Sequence, residues 1–432
     1  MAKKKIREYH GKRLLRKHFG KFSKLAAAKQ LDIKCALVDE HTKYDELAKQ
    51  EPWLLELPLV AKPDMMFGQR GKHNLVKLNA SYAEAKEFIQ ERMNKDVTIN
   101  GVTAALTHFI IEPFVPHKEE YYVSLAVERE FTKMCFSPAG GVEIEENWDK
   151  VKELHVPVGV LVEDVDLSLF EQTLGDASED TRATVMDFLR TLIHLFDYLD
   201  FAMLEINPFA INEAGQAFPL DLVAEVDDCA HFQNHAKWGD LPFPLPFGRV
   251  LSPAETYISS LDEKTGASLK FTVLNPDGRI WNMVAGGGAS VIFADTVCDL
   301  GYSHELANYG EYSGAPSEEE TYLYAKTIID LATRNPEPGK PRALLIGGGI
   351  ANFTDVAVTF KGIIHALLEA KERLVAAEVR IWVRRGGVNA EQGLQIMRRL
   401  NSTLGIPVSV FGPETHMTKI VRLAVDDIFQ SE

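Results

Sequence analysis

Little in this chain points to a secreted, redox or nucleic-acid-binding protein. Cysteine is scarce: Cys35, Cys135, Cys229 and Cys298 are scattered over 432 residues with no Cys-x-x-Cys pair, so neither a disulfide framework nor a thiolate metal site is expected, and the four read as small core residues. No run approaches the roughly 18 apolar residues that span a bilayer, and the charges of MAKKKIREYHGKR have no apolar stretch behind them, so a secretory leader is not expected. A cytoplasmic location without membrane association is expected. Low-complexity tracts are missing. Positive charge is in deficit, with 47 Lys and Arg against 62 Asp and Glu, which excludes a general nucleic-acid or anionic-membrane surface. The exception is the start of the chain, where Lys3, Lys4, Lys5, Arg7, Lys12, Arg13, Arg16 and Lys17 crowd together. They read as the solvated face of a helix over Arg7–Lys17 with a frayed basic tip.

What is present is globular. Hydrophobic residues make up 46% of the chain and charged residues 25%, an ordinary balance for a folded protein, and the length predicts two or three domains. Between about Tyr9 and Pro116, LPLVAKPD reads as a short strand and SYAEAKEFIQERM as a helix opened by Ser81, with Glu84 at the capping-box position. From Tyr121 to about Val226 come strands EYYVSLAVER and KMCFSPAGGVEIE, a helix around TRATVMDFLRTLIHLFDYL, and a hairpin. The proline cluster LPFPLPFGR, Leu241–Arg249, is stiff and non-helical and marks a boundary. After Thr256 strand, glycine turn and helix alternate through ASLKFTVLN, RIWNMVAGGGAS, RALLIGGGIANFT with VAVTFKGIIHALLEA, VRIWVRRGG with AEQGLQIMRRL, and PVSVFGPETH with a last helix. That is the rhythm of βαβ units in a parallel, doubly wound sheet, whose ligands lie beyond the carboxyl ends of the strands.

Within LEINPFAINEAGQAFPLDLVAEVD, Asn212-Glu213-Ala214-Gly215 signals a turn, and a three-residue loop with Gly215 in the left-handed region predicts that Asn207 faces Asp221 across the ladder. Glu205 shares their side because side chains alternate. A carboxamide and a carboxylate offer hard oxygens suited to magnesium held together with phosphates. Lys62 ends an apolar strand, and FGQRGKHNL places Gly68, Arg70, Gly71 and Lys72 in a turn whose amides are expected to meet phosphate oxygens. In HFIIEPFVPH the prolines interrupt ladder pairing and expose backbone groups that suit adenine, with Glu120 near enough for a ribose hydroxyl. In the second half, Asn352 and Thr354 are expected in the first turn of a helix behind three glycines, where an anion is well held. Arg384 and Arg385 end the next strand, and alternation puts one of them on the ligand side.

These segments, with EPWLL, RGKHNLV, KWGD, NPDGRIW, LANYGEYSGAPSEEETY and FGPETHMT between them, resemble the A-subunit family of ATP-citrate lyases, relatives of the succinyl-CoA synthetase β subunits, nearly end to end. The resemblance implies an α/β fold: an ATP-grasp domain of two subdomains, 21–113 and 1–20 with 114–245, then a citrate-binding, flavodoxin-like doubly wound domain, 250–432. It implies ATP at Lys62, Arg70, Gly71, Pro113, Val115 and Glu120, Mg2+ at Asn207 and Asp221, and a metal at the LDEKTGAS loop through Asp262, the Thr265 hydroxyl and the Ala267 carbonyl. Thr265 stands where relatives carry serine, which keeps a hydroxyl. Citrate is implied at Gly314, Asn352, Thr354 and Arg385, while Ala370 occupies a position where the family uses a tyrosine. None of the 13 histidines stands in a glycine-rich loop like the family's phosphohistidine loop, and His416 reads as a helix-start residue. The resemblance therefore places the phosphorylated histidine, and a citrate-synthase-like lyase module, on a succinyl-CoA synthetase α-like B subunit in a hetero-oligomer, with CoA as co-substrate and no catalytic residue on this chain. The large subunit of a citryl-CoA synthetase would carry the same residues.

Overall fold

The computed structural model describes residues 3–26, 31, 33–141 and 144–429. The chain divides into two compact units, Met1–Arg249 and Val250–Glu432, and the division follows the proline cluster, whose fixed φ angles and missing amide donors suit a connection.

In the first unit the strands are β1 (Lys3–Ile6), β2 (Ala36–Asp39), β3 (Leu59–Pro63), β4 (Lys77–Ala80), β5 (Asp96–Ile99), β6 (Val102–Ala105), β7 (His108–Pro113), β8 (Tyr121–Val127), β9 (Phe131–Ser137), β10 (Lys152–Pro157), β11 (Phe201–Ile211), β12 (Ala217–Pro219) and β13 (Leu222–Asp227). A large antiparallel sheet runs β1-β13-β11-β8-β9-β10 with β12 also on β11, and a smaller one runs β2-β7-β3-β4. Ser178 caps the helix Glu179–Tyr198, whose Val185, Phe188, Leu189, Leu192 and Phe196 recur at helical spacing and join the core of the large sheet. The helix Tyr82–Gln90 starts at the expected capping box of Ser81 and Glu84. β9 ends at Ser137, earlier than KMCFSPAGGVEIE suggests; of the remainder of that stretch, Val142 and Glu143 lie outside the described residues.

The basic start of the chain is solvated only in part: Lys3, Lys4, Lys5, Arg16 and Lys17 are exposed as expected and Arg7 and Arg13 half-buried, whereas Lys12 is buried. Lys3–Ile6 pairs with β13 as an edge strand, and the helix Glu8–His18 buries Glu8, His10, Lys12, Leu14 and Leu15. Lys12 is fully enclosed, and the Asp64 carboxylate receives the first two helical amides, Glu8 N at 2.8 Å and Tyr9 N at 2.9 Å. A lysine in an amphipathic pattern looks like a surface residue until a distant carboxylate is known to lie over it. The cysteines also divide: Cys35 and Cys135 are buried as expected, whereas Cys229 and Cys298 are exposed.

The second unit contains β14 (Ser268–Val273), β15 (Ile280–Ala285), β16 (Asn308–Ser313), β17 (Arg342–Gly348), β18 (Ile350–Ala351), β19 (Val379–Arg384), β20 (Gly386–Gly387) and β21 (Val408–Phe411). Its main sheet has the order β14-β16-β15-β17-β19-β21. Every pair is parallel except β14 with β16, so ASLKFTVLN is an antiparallel edge rather than the start of a βαβ unit. β15 and β17 are buried along their whole length, as central strands covered on both faces must be. Glu318–Ala332, Val356–Glu369 and Ala390–Leu404 pack in one apolar core, and Gly287–Asp299 with Lys419–Phe429 in another.

Candidate functional site

The hairpin of the first unit has the expected register. Ile211 pairs with Ala217 and Glu205 with Val223, Asn212 N donates to Gln216 O at 2.9 Å across a loop of Glu213, Ala214 and Gly215, and Gly215 has φ of 74°. Asn207 thus meets Asp221 across the ladder, its amide donating to the Asp221 carbonyl at 3.1 Å. The Asn207–Pro208 peptide is cis, and Asn207 Oδ1 accepts the Gly141 amide at 2.8 Å. Lys62, Arg70, Gly71, Pro113, Val115, Glu120, Asn207 and Asp221 all line one cavity of about 450 Å³, within the range of small-molecule sites. Glu205 lines a neighbouring cavity of about 520 Å³. Arg70 and Asp221 line both cavities and pair with each other, forming the partition between them.

Behind the cavity lies a buried ionic network that sequence reasoning missed. Glu8 Oε1 lies 2.7 Å from both Lys12 and Lys62, and its Oε2 lies 2.7 Å from Arg70. Glu112 reaches Lys12 with one oxygen and Lys62 with the other. Burial alone would push the Glu8 carboxyl up, but the charges of Lys12, Lys62 and Arg70 outweigh it and hold the group below the usual carboxylate range. Asp64 is pushed up to about 6 by burial and by the negative charge of Glu8. The available signal was Glu8 and Lys12 at i,i+4, but such pairs are common on exposed helix faces.

The phosphate turn is more tightly wound than expected. The amides of Lys72, His73, Asn74 and Leu75 donate to carbonyls within the turn, so they are not available to a ligand, and Gly71 is the turn glycine that reaches the cavity. Arg70 is held by the Pro63 carbonyl at 3.0 Å as well as by its ion pairs. At the hinge, β7 keeps ladder pairing through Pro113, opposite Leu59, and Phe114 N donates to Pro58 O at 2.7 Å. Interruption therefore begins after Phe114. There the Val115 carbonyl pairs with His117 Nδ1 at 2.7 Å, and His117 Nε2 lies 3.0 Å from Glu120.

In the second unit the expected residues follow the carboxyl ends of neighbouring strands: Gly314 after β16, Asn352 and Thr354 after β17, and Arg385 after β19. The register places Tyr312, Ala285 and Gly348 in one row across the sheet. Asn352 and Thr354 precede the helix rather than open it, since Asp355 is its N-cap and accepts the Val358 amide. Thr354 is buried and Asn352 exposed. β18 pairs with β20, Ile350 with Gly386 and Ala351 with Gly387, fastening the turn after β17 to the turn after β19. Gly387 has φ of 117°, and a Cβ there would lie 2.2 Å from the Ala351 carbonyl. Arg384 and Arg385 are both buried but differ in use. Arg384 donates to the carbonyls of Thr415, Gly348 and Pro413 at 2.9, 2.9 and 3.1 Å. Arg385 Nη1 donates to Gly349 O at 2.8 Å, while its buried Nε has no partner among the described residues. The buried Tyr312 hydroxyl is likewise unpartnered among them. Such orphaned donors are costly unless something receives them.

At the LDEKTGAS loop, Asp262 accepts the Leu269 amide at 2.7 Å and pairs with the Lys270 ammonium through its other oxygen. Thr265 donates to Ala267 O at 3.3 Å. Asp262 thus already has its countercation, and both of its oxygens are in use. Gly286, with φ of 93°, caps the helix Gly287–Asp299. His416 accompanies a helix start as expected, with Nδ1 at 2.8 Å from Thr418 Oγ1 ahead of the helix Lys419–Phe429.

A two-sheet cleft lined by basic side chains, a hinge and two hard oxygens, followed by a doubly wound unit with glycine turns at its strand ends, defines an ATP-grasp protein joined to an α/β ligand-binding domain. Residues 2–238 match the family of the ATP-citrate synthase ATP-grasp domain, and residues 249–427 that of ATP citrate lyase citrate-binding. The chain is 52% identical over 428 residues to ATP-citrate synthase alpha chain protein 1 of Arabidopsis thaliana, covering 99% of each. It is 46% identical over 427 residues to ATP-citrate synthase of Homo sapiens, covering 98% of this chain and 38% of that protein. The structure of ATP citrate lyase from Methanothrix soehngenii in complex with citrate and coenzyme A superposes with a TM-score of 0.89 at 48% identity, over 98% of this chain and 100% of that one. The chain belongs to the ATP-citrate synthase alpha-chain family. It is an enzyme subunit with an ATP-grasp domain and a citrate-binding domain.

Proposed function

We propose that this chain binds ATP with magnesium in the cleft of its first unit and citrate at the strand ends of its second, and passes the γ-phosphoryl group of ATP to a histidine on a partner B subunit. In this reading 21–113, and 1–20 with 114–245, are the two lobes of the ATP-grasp domain, and 250–432 is the citrate domain. The supporting observation is the convergence of eight residues chosen from sequence on one cavity, with Lys62, Arg70 and the Pro113–Val115 hinge among its walls. Adenine is read by backbone groups of the hinge, the ribose by Glu120, and the phosphates by Lys62, Arg70 and the Gly71 turn. The oxygens of Asn207 and Asp221 fit magnesium, which when bound neutralises charge on the phosphates. Arg70 must then share Asp221 with that ion.

Citrate is a trianion, and Arg385 with the donors of Asn352, Thr354 and the Gly314 turn would hold its carboxylates. The unpartnered Arg385 Nε supports this, and the buried, unpartnered hydroxyl of Tyr312, near enough to interact electrostatically with Arg385, adds a further donor. A carboxylate oxygen of citrate takes the phosphoryl group from the partner's phosphohistidine, regenerating the imidazole and forming citryl-phosphate. The thiol of CoA then displaces phosphate to give citryl-CoA, which is cleaved to acetyl-CoA and oxaloacetate by the partner's lyase module. Incubating the full chain with its partner, magnesium, citrate and ATP labelled at the γ-phosphoryl group is expected to put acid-labile label on the partner. Absence of label on the partner would refute the transfer, and an assembly that stops at citryl-CoA would make the chain a citryl-CoA synthetase subunit.

A further inference from the structure

Resting on the assignment of the cleft to ATP, we propose that Lys12 is the standby cation that lets Lys62 leave its two buried carboxylates and turn to the triphosphate. Lys62 is heavily engaged as it stands. Its ammonium donates to Glu8 Oε1 and to the Leu220 carbonyl, each at 2.7 Å, and forms an ion pair with Glu112 Oε2 at 3.1 Å. Turning the ammonium toward a triphosphate draws it away from the two carboxylates. Lys12, fully enclosed, engages the same three groups: Glu8 Oε1 at 2.7 Å, the Leu220 carbonyl at 3.2 Å, and the other oxygen of Glu112. Two ammoniums thus share two carboxylates and one carbonyl, but only Lys62 lines the cavity.

The pairing explains why both lysines are present. A buried carboxylate stripped of its cation is strongly unfavourable, so Lys62 alone would be locked in place by Glu8 and Glu112. With Lys12 seated on the same two carboxylates and Arg70 on the other oxygen of Glu8, the carboxylates remain compensated when Lys62 departs. Lys12 never meets the nucleotide and is a positioning residue.

The test is calorimetric titration of the full-length chain with ATP in excess magnesium. Lys12→Met should raise the Kd for ATP about tenfold or more, Lys12→Arg should stay within roughly threefold of wild type because the charge is kept, and Lys12→Met with Glu112→Gln should recover most of the loss. A folded Lys12→Met protein with wild-type affinity, or no recovery in the double variant, overturns the proposal. Lys62→Met separates the two ideas: unchanged affinity there refutes the ATP assignment itself, whereas weakened binding there with none in Lys12→Met refutes only the standby role. A crystal structure with a non-hydrolysable ATP analogue decides independently of any variant's folding. Lys62 Nζ on a phosphate oxygen with Lys12 still on Glu8 and Glu112 supports the proposal, and Lys62 still on both carboxylates sinks it.

Discussion

Adjacent residues of one type can do opposite work, and Arg384 and Arg385 show how. Arg384 spends its guanidinium on three main-chain carbonyls, so Arg384→Ala leaves buried acceptors unpaired and should cost about 3 kcal/mol, read as a lower melting temperature of the second unit. Arg385→Ala should instead raise the Kd for citrate by roughly a hundredfold, the worth of a charge-assisted contact, with the Kd for ATP unchanged. Equal effects on the two ligands would refute the role given to Arg385. Alternation along β19 predicted that the two would differ; the preference for Arg385 came from the family resemblance, and its partners became visible only in three dimensions. Glu8 and Lys12 were less legible still. Their partners are Lys62, Glu112 and Leu220, separated by 54, 100 and 208 residues along the chain, and the burial of a charge is decided by such neighbours.

The hairpin, whose geometry is local, was read correctly from residues alone. The hairpin closed as expected because Asn212 and Gly215 determine its turn, and turn chemistry acts within a few residues. Gly215 has open space around the position of a Cβ, so its requirement is the backbone conformation alone. Gly215→Ala should therefore cost about 1–2 kcal/mol, and Gly215→Asn clearly less, since asparagine tolerates the left-handed region. Urea unfolding of both variants checks this, and equal losses would refute the conformational account. β16 escaped detection as a strand because two of the three buried positions of NYGEYS are Asn308 and Gly310 rather than hydrophobic residues. Gly310 is explained by the Tyr324 hydroxyl, which would lie 2.6 Å from a Cβ there, and that close approach belongs to the packed sheet. The tightly wound 68–75 turn was misjudged for a related reason: glycines announce a turn without saying how many of its amides it keeps for itself.

At the scale of the whole molecule each unit carries its own cores, β-sheet topology and candidate ligand site. Ligand linkage then predicts selective stabilisation. ATP with magnesium at about a hundred times its Kd should add about 2.7 kcal/mol to the first unit, and citrate at the same excess a similar amount to the second. Limited proteolysis followed over temperature measures this, because peptides from each side of Arg249 report their own unit. Protection of both halves by either ligand alone would contradict it. The rhythm of glycine turns made the second unit's fold class legible early, whereas the antiparallel β14 edge was not, since strand direction is fixed by pairing rather than by the strand's own residues.

The short pairing of β18 with β20 bears on how a ligand binds at the second unit. Two backbone segments that flank the proposed citrate site are already joined to each other, with Gly387 allowing the close approach. The entropy of ordering those segments is lost once, when the chain folds, and not again at each encounter. An anion bridging them meets a preorganised cradle, so its binding should owe its heat to new hydrogen bonds with little accompanying gain in backbone order.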